Sequence, residues 1–202
     1  MKLYYTPGAC SLAPHIALRE VGLNFELEKV DLASKQTEDG GDFTKVNPKG
    51  YVPALRLDNG DILTEVAVLL QYIADENPNS QLAPKFGSIA RYRLMEWLSF
   101  IATEVHKTLG ALFNPSITPE WKNSQIATFG KRCDILVEQI DDKPYLLGEQ
   151  FSIADAYLFT VLGWARFHKV DMSKWPTLTD YMGRVAKRPA VVKAMQMEGL
   201  IH

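Results

Sequence analysis

The first 77 residues alternate between short strand-like segments and segments with helical spacing. Residues 2–5 predict a strand that ends at Pro7 and Gly8, and the apolar positions that follow predict a helix over 10–21, ending at Gly22. The same reading predicts a strand over 25–30, a weakly helical and exposed segment over 35–46, a hairpin over 54–63 around Asn59-Gly60, and a helix from Thr64 to just before Asn77.

Beyond this point the pattern is almost wholly helical. Residues 78–87 contain two prolines, a glycine and short polar side chains, which is typical of a linker. Helices are predicted over 88–109, 118–140 and 152–167, with one or two short helices from Pro176 onward. The predicted fold class is therefore α/β plus all-α: a thioredoxin-like N-terminal domain over 1–80, followed by an all-helical C-terminal domain over 87–202.

Composition narrows the possible functions. The 202 residues carry 22 Lys and Arg against 24 Asp and Glu, a balance that argues against a general nucleic-acid binder. The longest stretch without charged residues, 3–18, is interrupted by Pro7, Gly8 and Pro14, so neither a membrane span nor a signal-peptide core is expected. With only two cysteines, we expect a cytoplasmic protein with free thiols, and the residue spacing predicts no metal site.

Cys10 is the first candidate for chemistry. It lies at or beside the start of the first predicted helix, where open N–H groups and the helix dipole favour a thiolate of lowered pKa. The alternative is a buried structural thiol. Ala13 stands where a resolving cysteine would be, so only one-thiol chemistry with an external thiol is expected. Tyr5 and Ser11 offer hydroxyls nearby, although residue type alone favours a half-buried aromatic at Tyr5 and a helix cap at Ser11.

Two further motifs of the first half have the character of a binding site. Pro53 lies directly before the hairpin, and a cis Val52–Pro53 bond would leave the Val52 backbone open to an extended peptide, although a plain loop proline is the alternative. Thr64 is a predicted N-cap, and Glu65 in the first turn would receive a ligand ammonium group or simply complement the helix dipole.

The long helix over 88–109 has two contrasting faces. Its apolar stripe comprises Leu94, Trp97, Leu98, Ile101 and Val105. Ser99, Thr103 and His106 lie nearly opposite, on a face that meets water, a cleft or another subunit. Further along, Ser152 and Asp155 have the spacing of a capping box, and Cys133 shares a helical stripe with apolar residues that predicts a core thiol.

The motifs together resemble those of bacterial beta-class glutathione transferases. They are residues 1–15 (MKLYYTPGACSLAPH), 47–53 (NPKGYVP), Thr64-Glu65, 104–107 (EVHK) and 151–159 (FSIADAYLF), and they occur in order along the whole chain. The resemblance implies glutathione as co-substrate, an apolar electrophile held by the helical domain, and a homodimer.

The resemblance also implies roles for individual residues. Cys10 would contact or disulfide-bond the glutathione sulfur, and His106 would assist its ionisation. The implied tripeptide contacts are Lys35, the Val52 backbone before Pro53, Glu65, the N–H of Val66, and Ser99, Thr103 and Glu104 from the long helix.

This chain departs from the family pattern at two positions. Val66 stands where the family usually has serine or glycine, and Ser99 is shorter than the expected asparagine. The predicted activity is conjugation of glutathione to small electrophiles, with disulfide exchange through Cys10. A glutaredoxin-like oxidoreductase and a non-catalytic binding module are the alternatives.

Overall fold

The structure is a computed structural model that describes residues 1–201. It divides into two compact units: one joins Met1–Leu82 with the segment from Arg188 onward, and the other comprises Ala83–Lys187. The C-terminal segment therefore belongs with the N-terminal residues in space. The functional domains 1–80 and 87–202 remain a prediction.

The first unit is built on a five-stranded mixed sheet. Its strands are β1 (Lys2–Tyr5), β2 (Glu26–Asp31), β3 (Gln36–Thr37), β4 (Ala54–Arg56) and β5 (Ile62–Thr64), in the order β3-β2-β1-β4-β5. Strand β1 pairs in parallel with β2 and antiparallel with β4, and β4 pairs antiparallel with β5. Helices α1 (Leu12–Val21), α2 (Val66–Glu76) and α8 (Pro189–Met197) complete the unit, with α1 packed against the other two. This arrangement confirms the predicted thioredoxin-like fold.

The segment 35–46 departs from its prediction. The predicted exposed helix is wrong: the segment contains β3 and a short 3₁₀ turn, Phe43–Lys45. Phe43 is fully buried and packs in a cluster with Tyr4, Val30 and Val52. Burial of one large aromatic side chain therefore outweighs the weak helical pattern of a largely polar segment.

The second unit is helical. It contains α3 (Ile89–Phe100), a π-helical segment (Ile101–His106), α4 (Lys107–Gly110), α5 (Pro119–Ile140), α6 (Ile153–Phe167) and α7 (Pro176–Ala186). Ser152 and Asp155 form the capping box that the sequence predicts at the start of α6. At the start of α5, the Thr118 hydroxyl accepts from the N–H of Trp121. None of the helices in residues 1–201 has both the length and the apolar character needed to cross a bilayer.

The predicted helix over 88–109 is interrupted in its middle. Leu94, Leu98, Ile101 and Val105 are buried as the apolar stripe requires. The π-helical turn of Ile101–His106 was not predicted, because the periodicity argument assumes 3.6 residues per turn throughout. The π-helical segment carries Thr103, Glu104 and His106, the three candidate residues at the end of the helix.

Candidate active site

Cys10 lies in the loop between β1 and α1. The loop turns at Gly8, whose φ of +71° favours glycine, and α1 begins two residues after Cys10. The thiol is half-buried, and its Sγ donates to the Val52 carbonyl oxygen at 3.3 Å. The first unit thus brings Cys10 and Val52 into contact although 42 residues separate them.

The predicted lowering of the Cys10 pKa is wrong. Desolvation by burial raises the pKa of the Cys10 thiol to about 12, and the charge of Glu65 raises it further. Hydrogen bonds from the backbone N–H groups of Cys10 and Ser11 act in the opposite direction but are outweighed. The thiol is therefore protonated at neutral pH and acts as a hydrogen-bond donor.

The Val52–Pro53 loop is the second element of the site. The Val52–Pro53 bond is cis, the geometry considered from the sequence. The Val52 carbonyl, expected to be open to a peptide, is instead occupied by the Cys10 thiol. Lys35 reaches the same loop, since its Nζ donates to the Gly50 carbonyl at 3.0 Å. The loop over 50–53 is therefore contacted by Lys35 at Gly50 and by Cys10 at Val52.

The start of α2 differs from its prediction by one residue. Thr64 ends β5, and Glu65 is the N-cap, with a positive φ of 72°. The Glu65 carboxylate is exposed and accepts from Lys49 Nζ at 2.6 Å. Val66 is buried at the first helical position, where the N–H has no acceptor within the helix. The start of α2 therefore presents an exposed acceptor at Glu65 and a backbone donor at Val66.

Tyr5 and Ser11 are part of the interior of the unit. Ser11 is fully buried, and its hydroxyl donates to the Thr6 carbonyl and accepts from the Thr6 N–H, both at 3.2 Å. The expectation that Ser11 presents a hydroxyl to a ligand is therefore wrong, because the β1–α1 loop uses the hydroxyl. Tyr5 is buried with its ring 6.3 Å from that of His15, and burial raises its pKa.

Sequence reasoning missed Glu198, which follows α8. This carboxylate is buried, accepts from the Gly8 N–H at 2.9 Å, and lies 2.8 Å from His15 Nδ1. It joins the C-terminal segment to the loop that precedes Cys10. Glu198 contacts a residue 190 positions away in the sequence, so no local pattern identifies it. The only related signal is that its other partner, His15, belongs to the motif over 1–15.

In the helical unit, three predicted glutathione contacts are placed on the outer side of the long helix. Ser99 is exposed, and the exposed Thr103 hydroxyl donates to the Ser99 carbonyl at 3.0 Å. Glu104 is paired with Arg132 of α5 at 2.6 Å. The carboxylate of Glu104 therefore has a cationic partner within its own unit before any ligand binds.

His106 is held by side chains of α6. Its Nδ1 lies 2.7 Å from the hydroxyl oxygen of Tyr157, and the Trp164 ring stands edge-on with its centroid 4.9 Å away. Phe113 extends the aromatic group, 5.4 Å from Trp164 and 5.3 Å from Phe167 between ring centroids. His106, which the sequence places on the polar face of the long helix, therefore packs against aromatic side chains of α6. Residues 1–201 contain no group of three or more His, Cys, Asp and Glu side chains suited to a metal ion.

Comparison with known proteins identifies the family. The glutathione S-transferase N-terminal domain model matches residues 8–76, and the corresponding C-terminal domain model matches residues 100–189. Glutathione S-transferase GstA of Escherichia coli O157:H7 is 48% identical over 99% of this chain and 100% of its own length. The chain belongs to the glutathione S-transferase family. It is therefore an enzyme of the glutathione transferase type.

Solved structures support the same assignment. The beta-class glutathione S-transferase of Sphingomonas chungbukensis is 48% identical, with a TM-score of 0.96 and full coverage of both chains. A sphingomonad glutathione S-transferase complexed with glutathione is 49% identical, also with a TM-score of 0.96 and full coverage. The expected resemblance to the beta class of glutathione transferases is confirmed.

Proposed function

We propose that this glutathione transferase joins glutathione, as its thiolate, to small and partly apolar electrophiles. The observation that carries the proposal is the contact between the Cys10 thiol and the Val52 carbonyl, in the loop that Lys35 also contacts at Gly50. A relative of this chain was solved with glutathione bound. The proposed tripeptide contacts are Lys35, the Val52 backbone at the cis Pro53, the Glu65 carboxylate and the Val66 N–H. Ser99, Thr103 and Glu104 are proposed to contribute from the helical unit.

The protonated Cys10 thiol gives this site a specific role. A thiol with a pKa of about 12 is a poor nucleophile at neutral pH but a competent donor. When a peptide engages the Val52 backbone, the S–H group can turn from the Val52 carbonyl to the glutathione sulfur. A hydrogen bond to the anionic form of that sulfur favours its ionisation. Cys10 therefore acts in conjugation as a donor to the glutathione thiolate.

The aromatic cluster supports an apolar electrophile. The Phe113 ring centroid lies 5.4 Å from that of Trp164, 5.3 Å from that of Phe167 and 4.3 Å from that of His168, and Phe113 and Phe167 are exposed. Exposed aromatic rings stabilise flat apolar molecules through area burial and edge-to-face contact. His106 lies at the margin of this cluster and is the proposed contact to the reacting sulfur.

Disulfide exchange is a second, slower activity of the proposed site. A Cys10 thiolate would attack a glutathione mixed disulfide, forming a Cys10–glutathione disulfide and releasing the substrate thiolate. The thiolate of external glutathione would then attack the glutathione sulfur of that disulfide, releasing glutathione disulfide and the Cys10 thiolate. Because the attacking species must be the thiolate, a pKa of about 12 makes this cycle slow in the ligand-free enzyme. The raised pKa thus favours conjugation over a glutaredoxin-like function.

The experiment compares Cys10→Ala and Cys10→Ser with the parent in two assays, conjugation of an aromatic halide and reduction of a glutathione mixed disulfide. We expect Cys10→Ser to keep conjugation nearly intact because the hydroxyl is still a donor, and Cys10→Ala to lose about tenfold. Both variants lose disulfide reduction. Cys133→Ala, with its cysteine in the core of the other unit, is the matched control and should keep both activities.

Three results would contradict the proposal. Failure of the parent to bind glutathione in calorimetry would favour a non-catalytic binding module. Loss of conjugation in Cys10→Ser equal to that in Cys10→Ala would remove the donor role. Disulfide reduction faster than conjugation in the parent would favour the glutaredoxin-like alternative.

The proposal includes a homodimer that works in the cytoplasm, where glutathione stays reduced, with detoxification as its role. Phe86, Ile89 and Tyr92 recur at every third position around the start of α3 and are all exposed. Such a stripe is typical of a surface that is covered by a partner. Light scattering should give twice the chain mass of 22.7 kDa, and the mass of a single chain would contradict the dimer.

A further inference from the structure

The imidazole of His106 is fixed by two aromatic side chains of α6. The Tyr157 hydroxyl lies 2.7 Å from Nδ1, and the Tyr157 ring stands perpendicular to the imidazole at 5.8 Å between centroids. Tyr157 is only 2% exposed, so packing fixes its own orientation. The Trp164 ring closes a second side of the imidazole at 4.9 Å. These contacts set both the plane of the His106 ring and the partner of Nδ1.

The hydroxyl decides which ring nitrogen carries the proton. A neutral imidazole has one N–H, and the partner of one nitrogen determines the state of the other. A phenol, with a pKa of about 10, is a more acidic donor than the N–H of neutral imidazole, and the bare ring nitrogen is a stronger acceptor than a phenol oxygen. Tyr157 therefore donates to Nδ1, which leaves the proton of His106 on Nε2.

We infer that Tyr157 is a positioning residue that holds His106 in its Nε2–H tautomer, so that His106 donates a hydrogen bond to the glutathione sulfur and does not act as its base. The inference rests on the proposed function, in which His106 contacts this sulfur. The thiolate formed by ionisation is the better acceptor, so a fixed N–H donor stabilises the reactive form of the co-substrate.

Several charged groups on the neighbouring elements have partners within the unit. Arg132 of α5 is paired with Glu104, and Asp155 of α6 is bonded to Ser152 and to the Tyr181 hydroxyl. On the long helix itself, Glu96 is paired with Arg93, and Lys107 is exposed. The Tyr157 hydroxyl is thus the titratable group in direct contact with Nδ1.

The direction of the hydrogen bond predicts the sign of a measurable shift. A bond from Tyr157 to the Nδ1 lone pair exists only while the imidazole is neutral, so it lowers the pKa of His106. Removing the hydroxyl should raise that pKa. In the opposite arrangement Nδ1–H donates to the tyrosine oxygen, and this bond persists in the imidazolium. Removing the hydroxyl would then lower the pKa of His106.

The test is nitrogen NMR of the histidine rings in the full-length protein carrying Tyr157→Phe. We expect the parent to show a single Nε2–H tautomer at His106, and the variant to show a tautomer mixture with a His106 pKa raised by about half a unit or more. Tyr181→Phe is the matched control, because it also removes a buried hydroxyl, one bonded to Asp155, and it should leave His106 unchanged. A lowered or unchanged His106 pKa in Tyr157→Phe would overturn the inference.

A second substitution keeps the inference testable if Tyr157→Phe does not fold. Fluorotyrosine placed at position 157 preserves the ring and makes its hydroxyl a stronger donor. Nitrogen NMR of this protein should still show the Nε2–H tautomer of His106, and an Nδ1–H tautomer would contradict donation by Tyr157.

Kinetics separate this inference from the proposed function. For Tyr157→Phe we expect kcat for an aromatic halide to fall about tenfold with little change in KM for glutathione, and the pH profile to shift with the His106 pKa. If His106→Ala leaves turnover unchanged, the proposed role of His106 fails, while the NMR result still decides the tautomer. If His106→Ala is slow and Tyr157→Phe matches the parent, the positioning role fails alone.

Discussion

The candidate residues of the two units make their contacts with different kinds of atoms. In the N-terminal unit the key contacts end on backbone groups: Cys10 on the Val52 carbonyl, Lys35 on the Gly50 carbonyl, and Glu198 on the Gly8 N–H. In the helical unit they join side chains, as in the pairs of His106 with Tyr157 and of Glu104 with Arg132. A backbone-built site tolerates changes of side chain as long as its loops stay in place, whereas a side-chain-built site depends on each residue.

Glu198 gives the strongest test of this comparison, because it is the side chain that holds a backbone loop. Glu198→Ala leaves His15 and the Gly8 N–H buried without their carboxylate partner. The free energy of unfolding should fall by about 3–5 kcal/mol, measured by chemical denaturation. Glu96→Ala removes an exposed carboxylate paired with Arg93 and is the control, with an expected loss below about 1 kcal/mol. Equal losses in the two variants would contradict the importance of the buried network.

Alkylation of Cys10 tests whether the backbone-built site really keeps its thiol protonated. With a pKa of about 12, the thiolate fraction at neutral pH is about 10³-fold below that of a free cysteine, and higher intrinsic nucleophilicity recovers part of the rate. Cys10 should react with iodoacetamide about a hundredfold more slowly than the unfolded chain, with a rate that rises up to about pH 12. A rate equal to that of free cysteine, resolved by mass spectrometry of the Cys10 peptide, would show that desolvation does not control the thiol.

The second cysteine extends the comparison to stability at alkaline pH. Burial raises the pKa of Cys133 from 9.0 to about 12. A thiol whose pKa is higher in the folded than in the unfolded protein stabilises the fold fully at a pH below the unfolded-state pKa. This stabilisation is lost as the pH rises from about 9 toward 12. Between these limits the parent should lose about 1.4 kcal/mol per pH unit more than Cys133→Ala, measured by urea denaturation. Parallel pH profiles of the two proteins would contradict a buried neutral thiol.

The smallest effect is expected at Lys49, in an exposed pair beside the backbone-built site. Its Nζ contacts Glu65 at 2.6 Å, with both side chains at least half exposed. Lys49→Ala should change the free energy of unfolding by less than about 1 kcal/mol, because solvent screens such pairs. A thermal melt suffices for the measurement. A larger loss would mean that the start of α2 depends on this side chain.

Local patterns in the sequence predicted most of the fold. The hairpin around Asn59-Gly60 and the capping box of Ser152 and Asp155 depend on residues within a few positions of each other, and the structure confirms both. The segment over 35–46 was predicted wrongly, because the burial of Phe43 depends on β1, β2 and the Val52 loop, which no local window contains.

The sequence predicted which residues belong to the candidate site, but it did not predict their protonation states. The positions of Cys10 and His106 came from motifs, whereas the pKa of Cys10 depends on how packing desolvates it. Tyr157 and Glu198 act on partners 51 and 183 residues away, so composition and spacing gave no sign of them. Ser11 has the right residue type at the right place, yet the folded loop turns its hydroxyl to Thr6.

The π-helical turn of Ile101–His106 acts as a phase shift within the long helix. Its hydrogen bonds run from i to i+5, so the turn holds more residues than a turn of α-helix. The direction of the His106 side chain relative to the stripe that begins at Leu94 therefore differs from its direction in a regular α-helix. Winding the same residues as a regular α-helix would rotate His106 by about 100° relative to that stripe. The length of this turn, as much as the identity of its residues, therefore aims the imidazole at Tyr157.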